Sequence, residues 1–474
     1  MAKPLVLLGG AYEARSVIAG AQRCVNLYTE KNPEDAKAPT THYPTPGFSS
    51  LAANSPTGNW RKLYLTRDKQ LFGVCSSRLV KIDDRWNLTE VGVLKTAGQK
   101  PVDISDNGID MLIVDGSPFG YTVNLETLEF EVIGEDQNFF GGVSVDYIDT
   151  FFVVSEPNSR TFRVSLSNSV EFDPLFFADK TGRSDKLVGL ITAHREIWLI
   201  GESTTEVWFN AGDPVFPFQI VSGAFVEAGC CAPASIASHG NAILFLSKDD
   251  KGQAIVAMSK GYQLERVTTR AIESEFSKFK KVDDAIGLCY QFKGHLFYML
   301  TFPSANQTWV YDLVEGLWHE EVWTDTNGAE RRVRPSAVTF AFGKLVAGDR
   351  ENGKLYFLDA NNLAAIGGPL KRLRSMPVIS NEGQRINEPV LLVDMEVGEM
   401  PTGDHFITLR QSDNFGKTWD DGIIQTLGAR GAYDTTIQYR NLGIGRNRVF
   451  ELSWHGEGPS ALNNVLIEPD ASDS

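Results

Sequence analysis

Seven short apolar runs recur along this chain, and no other feature narrows its possible folds as much. They are Leu71-Phe72-Gly73-Val74, Met111-Leu112-Ile113-Val114, Phe151-Phe152-Val153-Val154, Ile197-Trp198-Leu199-Ile200, Ile243-Leu244-Phe245-Leu246, Leu296-Phe297-Tyr298-Met299 and Leu345-Val346-Ala347. Successive runs start 40, 40, 46, 46, 53 and 49 residues apart. Polar or glycine-containing turns precede several of them, as in Asp106-Asn107-Gly108 and His239-Gly240-Asn241. A second strand pattern follows nearly every run. A period of this size with several strands per unit predicts an all-β chain built as a β-propeller of seven blades. The continuous apolar runs are read as inner strands covered on both faces, and the alternating segments as outer strands.

The 474 residues leave room for more than the propeller. Residues 1–59 lack strand pairs at the blade period and contain the rigid, turn-rich Tyr43-Pro44-Thr45-Pro46-Gly47-Phe48. They are read as an N-terminal arm lying on the propeller or along a neighbour, with Val25, Leu27 and Tyr28 in need of cover. The propeller is placed at 60–360. After a Gly-rich transition, strand patterns resume at Pro389, so 361–474 is read as a C-terminal antiparallel β-sandwich or barrel ending in an acidic, fraying tail, 468–474. One helix is expected over 269–281, where Ile272, Phe276 and Phe279 share a face. It is read as a packing insertion, with partner docking as the sharper alternative.

With 45 Lys and Arg against 60 Asp and Glu, the net charge of −15 opposes a tight grip on nucleic acid. Two local basic clusters, Lys278/Lys280/Lys281 and Lys371/Arg372/Arg374, are read as solvated surface. The five cysteines show neither a disulfide ladder nor zinc-ligand spacing. Cys75 reads as a small buried hydrophobe, and Cys230-Cys231 as reduced thiols rather than a strained vicinal disulfide. No apolar run is long enough to span a membrane, and none is expected as a partner.

The residues offer no positive case for an enzyme. Ser412-Asp413-Asn414-Phe415-Gly416-Lys417-Thr418-Trp419 resembles the Asp-box hairpin S-x-D-x-G-x-T-W, with Asn414 at the usual Asp position. Such boxes occur in sialidases, where they are structural. A glycosidase needs two carboxylates across a pocket. The acidic pairs Asp83-Asp84, Asp249-Asp250, Asp283-Asp284 and Glu320-Glu321 read instead as turn chemistry, and His319 as a surface group. Catalytic, cofactor-binding and metal sites are therefore all entered as none, and no cofactor is expected.

Several segments resemble the tail-hub, or packaged-DNA stabilisation, family of short-tailed bacteriophages. They are Val25-Asn26-Leu27 ahead of Pro46-Gly47-Phe48, Gly201-Glu202-Ser203-Thr204-Thr205-Glu206-Val207-Trp208-Phe209, Gly223 through Val226-Glu227-Ala228-Gly229-Cys230, and the terminal Ser412–Trp419 and Gly443–Leu452 stretches. Their order matches over nearly the full length. Glu227-Ala228 departs from the family's Gln-Lys. The resemblance implies a structural virion protein of the phage tail, assembled in the host cytoplasm. It implies a six-copy ring below the portal and its adaptor ring that continues the DNA channel, retains the genome before ejection, and anchors tail spikes and a needle or plug. Double-stranded DNA would pass without tight binding. The alternatives are a glycan-binding or glycan-cleaving, sialidase-like propeller and a general intracellular interaction propeller.

Overall fold

A computed structural model of the chain describes residues 3–5, 7, 9–16, 20–51, 56–380, 384–400 and 405–470. The expected fraying of 471–474 lies outside them, while 468–470 belong to the strand Leu462–Asp470.

Seven four-stranded units follow one another. The first runs Trp60–Leu65, Leu71–Cys75, Arg78–Ile82 and Leu88–Val93, all antiparallel, and the next five repeat that order up to Leu317–Glu320. The first strand of each unit packs on the first strand of the next, and Pro335–Ala341 of the seventh packs on Trp60–Leu65 of the first, which closes the circle. The chain is a β-propeller.

All seven apolar runs are second strands of their blades. The first strands face the axis on one side and carry more polar residues, as in Asp103–Asp106. A second strand has a paired neighbour on each edge and a neighbouring blade on each face. Continuous apolar sequence marks that position, and Met111, Leu112, Ile113 and Val114 are all fully buried.

The seventh blade draws only three strands from its own stretch of chain. Its fourth is Gly47–Ser50, paired with Leu355–Asp359 in the register Phe48↔Leu358. Residues 47–50, expected in the arm, therefore belong to the propeller. A Cβ on Gly47 would lie 2.1 Å from the Asn362 carbonyl oxygen, so this tight approach excludes any side chain.

The rest of the arm is built into the molecule as well. Cys24–Val25 pairs in parallel with the outer strand of blade six through Glu320↔Val25, and antiparallel with Arg372–Ser375 through Leu373↔Val25. One ten-stranded sheet thus runs from blade six through the arm into Asn447–Trp454, Phe406–Ser412 and Ile423–Thr426. A second sheet orders Ile437–Arg440, Ile386–Met395, Leu462–Asp470, Thr40–Pro44 and Leu27–Lys31. Leu27, Leu391, Ile407, Leu452, Trp454 and Leu462 form the core between the two C-terminal sheets. That core is continuous with Leu300, Phe302 and Trp318 of blade six.

The helix is shorter than expected, Arg270–Phe276, because Ser277 caps it. Ile272 and Phe276 are buried, and Phe276 packs 4.8 Å from Phe302 between ring centroids. The helix therefore plugs its own core. No helix among the described residues is long and apolar enough to cross a membrane.

Candidate functional site

The residues singled out by the sequence do not converge on a reactive pocket. Asp83 accepts the backbone N–H groups of Arg85 and Asn87, and Asp249 those of Lys251 and Gln253, both as turn ligands. Asp284 accepts from Ser304, and Glu320 binds Arg23. In the Asp-box hairpin the Ser412 hydroxyl accepts the Gly416 N–H at 2.9 Å, and Asn414 Oδ1 accepts that of Thr418 at 2.9 Å. Arg410 lies over the half-buried Trp419 ring. Each polar group of the box is used to hold its own loop. No cluster of three or more metal-ligating side chains occurs among the described residues. The five cysteines are free thiols; burial pushes Cys230 up to about 12 and Cys231 up to about 11.

What these residues do form is a set of joints. Between blades, buried carboxylates accept from the neighbour. Asp103 binds Lys62 of blade one at 3.0 Å and the Val145 N–H of blade three at 3.1 Å. Asp146 accepts both the N–H and the hydroxyl of Thr192 in blade four, at 2.8 and 2.7 Å. Asp106 accepts from Tyr64 at 2.7 Å. Each bond crosses from one sheet to the next and resists sliding. The clue in the sequence was the repeated Val-Asp of Val102-Asp103 and Val145-Asp146 at the start of two successive first strands.

The family-like motifs sit at chain crossings. Glu206 is fully buried and accepts the N–H groups of Gly182 and Thr181 and the Trp208 indole. Thr205 donates to the Ala228 carbonyl and Cys230 N–H to that of Gly201. A Cβ on Gly229 would lie 2.3 Å from that same Gly201 oxygen. The motifs at 201–209 and 226–230 therefore lock one another. Asn26 takes a left-handed backbone (φ 53°) and is buried. Its side chain donates to Val322 and Lys371 carbonyls at 3.0 and 2.6 Å and accepts the Val322 N–H at 2.9 Å. One asparagine thereby staples arm, blade-six exit and C-terminal sheet.

Around it lie the charges that the sequence assigned to surface. Arg372 and Arg374 are fully buried, which corrects the reading of 371–374 as a solvated patch. Arg372 donates to the Gly456 and Leu363 carbonyls, both at 2.7 Å. Arg374 reaches His42, Gly9, Gln22 and Arg23. His319 is likewise buried at 3% exposure, because the arm strand covers what would otherwise be the open edge of blade six. Lys278, Lys280 and Lys281 are exposed, as read. Arg23 holds Glu320 through two nitrogens, at 3.1 and 2.7 Å, and Glu330 at 2.9 Å, while Lys371 binds Glu330 at 2.8 Å. Burial opposes ionisation of Glu330, but Arg23 and Lys371 outweigh it and bring the carboxyl down to about 2.

His295 of blade six bridges Asp312 at 2.6 Å and Glu30 of the arm at 3.0 Å. The hydrogen bond to Asp312, opposed by burial and reinforced by Glu30, raises the imidazole to about 9. Its unfolded value is about 6.5. The stabilisation is therefore complete below about pH 6.5 and lost as pH rises through about 9. The denaturation midpoint of the wild type should fall between pH 6.5 and 9.5, and that of His295→Gln should stay level. Parallel curves would show that the bridge does not carry the pH dependence.

A closed propeller with sealed blades, sewn by its own arm to a second β unit, defines a structural protein class. A family model described as "Bacteriophage P22 Gp10, beta-propeller" matches residues 21–362. The chain belongs to this family, and it is a phage structural protein and a virion component. Three solved propellers are similar in outline. A U3-55K structure is 8% identical, with TM-score 0.40 over 66% of this chain and 99% of that one. The RRP9 WD40 repeats are 9% identical, with TM-score 0.39 over 67% and 99%. The WD40 propeller domain of Doa1 is 11% identical, with TM-score 0.39 over 65% and 97%. No curated protein matches the sequence.

Proposed function

We propose that the chain is a stiff coupling in the phage tail: a hub subunit that assembles as a six-membered ring below the portal and adaptor, continues the DNA channel, retains the packaged genome, and carries spikes and a needle or plug. The observation that carries this reading is the sheet that runs without a break from blade six through Cys24–Val25 into the C-terminal unit. Load applied to one unit passes to the other through backbone hydrogen bonds and a close-packed core, which deform little. Six such bodies close a ring through heterologous contacts, for which the propeller rims and arm are the candidate surfaces. The net charge of −15 favours a channel along which DNA slides without adhering. A strongly basic lumen in the assembled ring would refute that point.

Mixing the purified chain with a portal–adaptor complex tests the assembly. Six added copies per portal ring are expected by native mass spectrometry, with a lengthened axial channel by electron microscopy. A chain that stays monomeric and leaves the portal bare removes the proposal.

A further inference from the structure

Arg374 Nε lies 2.9 Å from His42 Nε2. A guanidinium has donors only, so the imidazole nitrogen must be the acceptor. His42 is therefore neutral, with its proton on Nδ1. A second proton, on Nε2, would set two donors and two positive charges face to face inside a dry core. The same guanidinium holds the start of the chain. Nη2 donates to the Gly9 carbonyl at 2.8 Å and to Gln22 Oε1 at 3.2 Å, and Nη1 to the Arg23 carbonyl at 3.2 Å. The regular pairing of this segment is slight: two residues of Tyr12–Glu13 against Ala21–Gln22. His42 sits in the firmly paired hairpin Leu27–Lys31/Thr40–Pro44.

We propose that His42 and Arg374 form an acid-sensitive latch, in which proton uptake by His42 breaks its bond to the guanidinium and frees the segment around Gly9–Arg23 from the C-terminal sheet. The groups against His42 are few. Thr29 stands opposite on the hairpin and Leu462 opposite on the C-terminal strand. Arg374 supplies the one charge, and the nearby Cys24 thiol, pushed up to about 11 by burial, stays neutral. Burial, then Arg374, hold His42 well below its ordinary value. Below about pH 6.5 the opened segment thus binds one more proton than the closed one, and opening grows about tenfold per pH unit as pH falls. Glu13, on the segment itself, acts with the opposite sign. Burial, Glu275 and Glu320 raise it, so its protonation tightens the closed form. Glu330, at about 2, titrates below this range.

Hydrogen exchange of the amides at 11–16 and 21–23, corrected for intrinsic rates, between pH 7.5 and 5 tests the latch. Protection in the wild type should fall about tenfold per unit below pH 6.5. In His42→Gln, whose amide oxygen can accept from Arg374 at any pH, it should stay level or rise. Level protection in the wild type, or an equal fall in the variant, overturns the proposal. Selective ¹⁵N labelling of histidine gives a readout that needs no variant: His42 should show a protonated Nδ1 and an accepting Nε2 at pH 7.5, and the reverse tautomer or an imidazolium would also overturn it.

Discussion

A chain that starts at residue 51 will not form a soluble, cooperatively folding monomer. Removing 1–50 takes Gly47–Ser50 from the seventh blade and leaves Leu355–Asp359 as an unpaired edge, the kind of edge that templates aggregation. It also removes Cys24–Val25 from the middle of the ten-stranded sheet and two strands from its partner sheet. Val25, Leu27 and Tyr28 are at 0, 0 and 2% exposure. Each is worth roughly 1.5–3 kcal/mol on burial. Three of them together already match the low end of a domain's total stability of about 5–15 kcal/mol. Soluble yield, gel filtration and the cooperativity of thermal unfolding measure the outcome. A truncated chain that elutes as a monomer and unfolds sharply would mean that the arm is an accessory.

Replacing Arg374 by Met should cost about 3–5 kcal/mol, the scale seen when one partner of a buried charged contact is deleted. Four acceptors would lose their donor at once: His42 Nε2, Gln22 Oε1 and the carbonyls of Gly9 and Arg23. Each one that water cannot reach adds roughly 1–3 kcal/mol. Arg374→Lys should restore little, because an ammonium presents a point charge where the acceptors are spread around a planar fork. Urea unfolding followed by the fluorescence of Trp454, buried in the C-terminal core, reads the loss. A change under about 1 kcal/mol would show that the site relaxes or hydrates, and that the guanidinium is not the pin described above.

The readable parts of the fold were those whose pattern is local. A second blade strand needs four or five consecutive apolar residues, whichever blades flank it. Ile197–Ile200 or Ile243–Leu246 therefore announces itself without knowledge of its neighbours. The C-terminal strands alternate in the same self-contained way, as Phe406–Ser412 does with Ile407 and Leu409 inward. The family-like motifs were visible too, but as strings. Glu206 in its strand gives no hint that it binds the N–H groups at 181 and 182.

Residues that meet across long stretches of chain were misplaced. Arg372 and Arg374 read as a solvated cluster because a charge is mostly exposed when nothing specifies its partner. Their acceptors lie in segments as distant as Gly9 and Gly456. His319 read as surface because blade six seemed to end at an open edge, and Glu320 meets Arg23 across 297 residues.

From its order of residues alone, the chain dictated repeated antiparallel units of about blade size, since strand periodicity and turn chemistry act over a few residues and need no distant partner. Which strand closes the last blade, which charges go under cover, and how the arm joins two β units were decided only on folding. A buried polar group persists where its partners converge, and convergence is a property of three-dimensional contact rather than of sequence neighbourhood.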